Sequence, residues 1–193
     1  MSLVYYLDLC AQTGCDGVML HIGSLRDTTK KEGFKKVIEG INWILNRSNT
    51  NAILLLEIRA GSGKIIGSRL EDLAYLRNNT KQRERVLYCL DTQHMFASGY
   101  DLVNNLDEVV TQIDKILDLQ DVKAIHLNDS KSLCGSNIDR HENLGEGKIG
   151  TKAMRRIVNH PKLLHVPFII ETPALRTIDG AKSEIKKLKN WIK

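Results

Sequence analysis

Val86-Leu87-Tyr88-Cys89-Leu90-Asp91 is an apolar, β-forming run that ends on a carboxylate, and Thr92-Gln93-His94 adds an imidazole three residues later. A run this short and this apolar reads as a strand buried on both faces. The pattern recurs four times. Gly17-Val18-Met19-Leu20 leads to His21, residues 52–56 lead to Glu57, the run 122–127 contains His126, and residues 166–170 lead to Glu171. Between the runs lie stretches with helical spacing, such as Phe34, Val37, Ile38 and Ile41, or Val109, Ile113, Ile116 and Leu117. Buried strands alternating with amphipathic helices imply a parallel sheet with helices outside it. Five strands could form an open sheet. A metal-capable residue at the C-terminal end of all five favours a (β/α)8 barrel, whose active site sits at that end. The expectation is an α/β fold, a partial TIM (β/α)8 barrel with about five of the eight strands, forming one partial domain over residues 1–193. A complete barrel takes about 250 residues, so the remaining strands are expected to precede Met1.

Composition is that of an ordinary globular chain, with 42% hydrophobic and 26% charged residues. No apolar run approaches the roughly 18 residues of a membrane span, and the first residues lack a signal-peptide pattern. An intracellular location, cytoplasmic or nuclear, with no membrane partner, is expected. Cys10, Cys15, Cys89 and Cys134 show no C-x-x-C spacing, so reduced, mostly buried thiols are expected rather than disulfides or zinc ligands. The net charge of +5 suits a phosphate-bearing partner without specifying one.

Zinc is held by imidazole nitrogen and carboxylate oxygen, and multinuclear sites need carboxylates able to bridge. His21, Glu57, Asp91, His94, His126, Asp139, His141 and Glu171 are the candidate metal ligands. Asp91 with His94, and Asp139 with His141, are spaced closely enough to serve neighbouring ions without a long ordered loop. His160 and His165 stand outside these clusters and read as structural. The loops 59–69 and 128–148 are rich in Gly, Ser, Asn and basic residues, and at a barrel mouth Lys131 and Arg140, with Lys64 and Arg69 behind them, could meet a DNA backbone. Gly61-Ser62-Gly63-Lys64 lacks the spacing of a Walker A loop, so nucleoside triphosphate binding is not inferred.

His126-Leu127-Asn128-Asp129-Ser130-Lys131, then Gly135-Ser136 and Asp139-Arg140-His141, resembles the long third signature of the endonuclease IV family at every defining position, and Leu144-Gly145-Glu146-Gly147 continues the likeness. Cys89-Leu90-Asp91-Thr92-Gln93-His94 resembles the second signature, with Gln93 where the family usually has cysteine. Leu20-His21-Ile22-Gly23-Ser24 and Leu56-Glu57-Ile58-Arg59 resemble two earlier strand ends, the latter departing from the usual Glu-Asn-Thr. Ile169-Ile170-Glu171-Thr172 is similar to the last. The family's first signature, a histidine segment with a nearby tyrosine, is absent.

The resemblance implies an AP endonuclease of base-excision repair that hydrolyses the phosphodiester 5′ to an abasic site in double-stranded DNA and leaves a 3′-hydroxyl. It implies three Zn2+ ions in a complete protein: the first held by His21 and Glu57, the second by Glu57, Asp91, His126 and Glu171, the third by His94, Asp139 and His141. Glu57 and Glu171 would be the catalytic carboxylates, and Asp129 or backbone carbonyls would orient the ligand histidines. Two zinc sites are then complete in this chain and the first lacks a ligand, so the chain alone is expected to be inactive. Two alternatives stand beside this reading. One is a metal-dependent sugar isomerase or epimerase on the same barrel. The other is a non-catalytic fragment, whose exposed barrel edges would favour self-association.

Overall fold

The computed structural model describes residues 3–192. Helix α1 (Leu3–Thr13) leads into β1 (Gly17–Leu20), α2 (Lys30–Leu45), β2 (Ile53–Glu57), α3 (Leu70–Asn78), β3 (Val86–Asp91), α4 (Thr92–Ala97), α5 (Leu106–Leu117) and β4 (Val122–His126). A short hairpin of β5 (Asp129–Ser130) and β6 (His141–Glu142) follows, then α6 (Gly150–Val158), β7 (Phe168–Ile169) and α7 (Ile178–Lys189). The five long-range strands pair in the order β1-β2-β3-β4-β7, all parallel. They are the arc of a partial TIM barrel, as the sequence predicts.

Side chains alternate between the faces of a strand. Leu54, Leu56, Val86, Tyr88, Leu90 and Ile125 join the large core under the helices, with Phe34, Ile41, Leu73, Val110 and Ile113. Leu55, Leu87, Cys89 and Ala124 form a separate small cluster with Met19 and Ile53 on the other face. Both faces are therefore apolar, which is why the strands read as continuous hydrophobic runs. Helix α2 starts at a capping box in which Thr29 and Glu32 satisfy each other's backbone N–H groups, and it buries Phe34, Ile41 and Leu45.

Three expectations are corrected. Strand β7 covers only Phe168–Ile169 rather than 166–170, because Pro167 has no N–H to give the ladder; its carbonyl accepts from Ile125 N at 3.0 Å. Cys15 and Cys134 are exposed, so only Cys10 and Cys89 of the four free thiols are buried. The stretch 128–148 is not a plain loop: the β5–β6 hairpin sets Ser130 opposite His141 and so returns His141 to the sheet's C-terminal end.

That hairpin depends on Asp129, fully buried, whose carboxylate accepts from the backbone N–H groups of Ser130 (2.7 Å), Gly147 (3.0 Å), Ile149 (2.9 Å) and Gly150 (3.1 Å). It is thus spent on the backbone and does not orient a ligand histidine. Gly147 is required at this close approach, since a Cβ there would lie 2.4 Å from the Ser130 carbonyl oxygen. Asp129→Ala strands several N–H groups away from solvent and is expected to cost on the order of 3 kcal/mol in urea unfolding, with Asp129→Asn losing less. A change below about 0.5 kcal/mol for the alanine variant would show that the loop finds other acceptors.

Candidate metal centre

The strand ends deliver their ionisable groups to one place. Glu57 closes β2, Asp91 closes β3 and His126 closes β4, with Asp91 and His126 paired in register. Asp91 also begins α4, accepting from His94 N at 2.8 Å; this N-cap turns the chain so that His94 faces back into the site. His21 lies just past β1, Glu171 just past β7, and Asp139 and His141 arrive on the hairpin arm.

The contacts join all eight predicted residues. His126 Nδ1 lies 2.8 Å from Glu57 Oε1, 3.1 Å from Glu171 Oε2 and 3.8 Å from Asp91 Oδ2. His94 Nε2 is 3.2 Å from Asp139 Oδ2, and its Nδ1 meets the Ile58 carbonyl at 2.9 Å. His141 Nε2 is 3.8 Å from Asp91 Oδ2 and 3.7 Å from Asp139 Oδ1, and His21 Nε2 reaches Glu57 Oε2.

Electrostatics follow from this crowding of acids and imidazoles, the inner ones buried. Burial works against a charge on His126, but hydrogen bonds to Cys89, Glu171 and Glu57 outweigh it, and its pKa is pushed up to about 12. Burial likewise opposes charge on His94, yet Asp91, Asp139 and Glu57 raise it. The His94 hydrogen bond takes Asp139 down to about 2. Glu57 is held below the usual carboxylate range although burial pushes the other way, because His126, His94 and His21 surround it.

Two groups of ligand atoms lie within 4.8 Å of one another: Glu57, Asp91, His126 and Glu171 in one, Asp91, His94 and His141 in the other. Ligand atoms about 2.0–2.2 Å from a shared tetrahedral zinc lie roughly 3.4 Å apart, within the 2.8–3.8 Å spread of the His126 contacts to Glu57, Glu171 and Asp91. His141 Nε2 is buried and has no hydrogen-bond partner among the described residues, although it points between two carboxylates. An acceptor nitrogen left open there fits a divalent cation. Asp91 belongs to both groups, where the sequence expectation placed it in one; Asp139 also lies 3.2 Å from His94 and 3.7 Å from His141, and His21 meets Glu57 at the edge of the cluster.

Lys131 and Arg140 line a cleft of about 430 Å³ beside the centre, with Asp139, His141, Glu171, Thr172, Pro173 and Arg176. Lys64 instead donates to the Arg26 carbonyl at 2.8 Å, on the β1 side. His160 pairs with Asp107 and His165 with the Leu119 carbonyl, which agrees with their structural reading. Four residues escape the sequence reading. Asn128, fully buried, donates to Asp91 Oδ2 at 2.7 Å and accepts from Glu171 N at 2.9 Å, tying two strand ends together. Arg59 reaches Glu57 and Asp139, Cys89 meets His126 from below, and Arg176 adds a cation to the cleft. Asn128 and Cys89 fall within the two signature-like stretches, and Arg59 is marked by its departure from Glu-Asn-Thr; Arg176 carries no signal.

A family model described as xylose isomerase-like TIM barrel matches residues 3–193. A probable endonuclease 4 of Clostridium beijerinckii is 44% identical over 170 residues, covering 88% of this chain and 60% of that protein. One from Aster yellows witches'-broom phytoplasma is 40% identical over 173 residues, covering 89% of this chain and 59% of that protein. The crystal structure of endonuclease IV from Thermus thermophilus superposes with a TM-score of 0.86 at 32% identity, over 98% of this chain and 66% of that one. The chain spans about three-fifths of the length of the curated relatives it matches.

Imidazole binds metal in its neutral form, whereas the surrounding acids raise the pKa of His126 to about 12 and that of His94 above its ordinary value. Zinc loading near pH 7 is therefore expected to release at least about one proton per chain, and apparent affinity should rise with pH. Calorimetric titrations in two buffers of different ionisation enthalpy measure this directly, and an enthalpy independent of buffer would show the imidazoles already neutral.

Proposed function

The chain belongs to the xylose isomerase-like TIM-barrel family, with the endonuclease IV proteins, and from that premise we propose that it carries the metal centre of a zinc-dependent AP endonuclease. The reaction is hydrolysis of the phosphodiester 5′ to an abasic site in double-stranded DNA, leaving a 3′-hydroxyl. The observation that carries this reading is the pair of ligand groups sharing Asp91, a multinuclear arrangement suited to phosphodiester chemistry.

Glu57, Asp91, His126 and Glu171 would hold one zinc, and Asp91, His94 and His141 another, with Asp139 alongside. Zinc bound there supplies Lewis acidity, making water a nucleophile at neutral pH and offsetting charge on the leaving oxygen. The protein's part is placement. Asn128 fixes the backbone of Glu171, and His126 holds Oε2 of the same residue, so a half-exposed carboxylate faces the cleft ready to orient the attacking water. Lys131, Arg140 and Arg176 would receive the phosphates flanking the lesion. An isomerase or epimerase reading leaves the second ligand group, Asp91, His94 and His141, without a task.

Glu171→Gln is expected to lower incision of a duplex carrying one abasic site by at least about a hundredfold while circular dichroism stays unchanged. Incision at the parental rate would demote Glu171 to a structural residue. The assay needs an active form. His21 and the shared Glu57 are one protein ligand short of what a catalytic zinc usually takes, so the 193-residue chain is expected to show little incision. A version extended N-terminally with the corresponding segment of the Clostridium beijerinckii relative is expected to show it. Vigorous zinc-dependent incision by the short chain would overturn this assignment of ligands.

A further inference from the structure

Arg59 stands two residues past the end of β2, where its backbone is fixed from both sides: its N–H donates to the Gly67 carbonyl at 2.9 Å, and its carbonyl accepts from Ser98 Oγ at 2.6 Å. The side chain is only 14% exposed and enters the acidic pocket. Nη1 lies 3.4 Å from Glu57 Oε2 and Nη2 lies 3.3 Å from Asp139 Oδ2. Both contacts exceed the roughly 2.7–2.9 Å of a tight charge-assisted hydrogen bond. The guanidinium spans two carboxylates without locking onto either.

The two oxygens are informative. Glu57 Oε2 is the one that His21 also reaches, while Oε1 is taken by His126. Asp139 Oδ2 is the one facing His94. These are the oxygens that a metal bound by His21, or one bound by His94 and His141 with Asp139, would use. The residues outside both compact ligand groups are likewise His21 and Asp139, the partners of the two oxygens Arg59 touches. Four carboxylates, Glu57, Asp91, Asp139 and Glu171, gather here, and a permanent positive charge among them does electrostatically part of what a metal ion does.

We propose that Arg59 is a resident counter-cation that competes with metal: its guanidinium holds Glu57 Oε2 and Asp139 Oδ2 in the metal-free protein and weakens zinc binding at the centre. This rests on the metal-centre reading above. The role has an unusual signature, because one side chain stabilises the metal-free protein and opposes the loaded one. An arginine that merely braces the β2–α3 loop would support both states alike.

The test compares the 193-residue chain with Arg59→Thr, which removes the charge, and Arg59→Lys, which keeps it. Zinc affinity is read by competition with a chromophoric chelator, and melting temperature is read in EDTA and in excess zinc. Arg59→Thr is expected to bind zinc about tenfold more tightly or better, to melt lower than the parent in EDTA, and to recover or exceed the parent in zinc. Arg59→Lys should stay near the parent in affinity. Unchanged or weaker zinc binding by Arg59→Thr, or an equal fall in melting temperature in both conditions, overturns the proposal. A parent and Arg59→Lys that fold but bind no zinc at all would overturn the metal-centre reading itself, and the role of Arg59 with it.

Discussion

Glu57 is a carboxylate with no solvent exposure at the end of a central strand, and Asp91 beside it is the same. An ionised carboxylate in such a place is costly unless opposite charge and hydrogen bonds surround it. Almost everything distinctive in this chain answers that constraint. The pKa values of His126 and His94 are raised by it, Asn128 gives its amide to Asp91, the first turn of α4 gives a backbone N–H, and Arg59 reaches in from the following loop. Leu55, Leu87, Cys89 and Ala124 form a small apolar cluster on the face opposite the helices, where Leu55, Leu87 and Ala124 line a cavity of about 700 Å³.

The constraint also ties the hairpin arm to the sheet. His141 and Asp139 reach the cluster only because β5 and β6 pair and because Asp129 gathers four backbone N–H groups around the return of the chain. Gln93, where the related signature has cysteine, donates to the Ile138 carbonyl at 3.0 Å, beside Asp139. The arm is therefore anchored at its base by a carboxylate and along its length by an amide, which is how a loop can present ligands with the stability of a strand end.

The legible part of the fold is the part governed by strong local signals. Each apolar run ends on an ionisable residue, and both features survive reading one residue at a time; Glu57, Asp91 and His126 follow from them directly. Asp139 and His141 rest instead on their close spacing and on the resemblance, since two-residue strands leave no periodicity to detect and the pairing depends on the distant N–H groups of 147–150. Arg59 and Asn128 are hidden for a different reason. An arginine or asparagine after a strand is usually solvated, and only the closed geometry of the pocket turns each into a bridge between carboxylates or strand ends. The split of ligands is likewise beyond the sequence, because Asp91 serves both groups through its position between β2 and β4, not through its neighbours in the chain.

Exposure of the strand-end ligands follows strand order. Across β1-β2-β3-β4-β7 the side chains of His21, Glu57, Asp91, His126 and Glu171 are 55%, 1%, 0%, 5% and 42% exposed. Among the described residues the three inner ligands have a neighbouring strand on both sides, and the outer two stand on strands with one neighbour each. Rigidity should grade in the same direction, since an inner ligand is held by packing and ladder bonds on two flanks. Metal held chiefly by Glu57, Asp91 and His126 meets side chains already buried and fixed. Metal that depends on His21 must also order an exposed side chain, at an entropic cost the inner residues have already met in folding. The same gradient gives the centre its direction: the open rim at Glu171 adjoins the cleft lined by Lys131, Arg140 and Arg176, so a phosphate approaching those cations arrives at the exposed carboxylate of the group formed by Glu57, Asp91, His126 and Glu171.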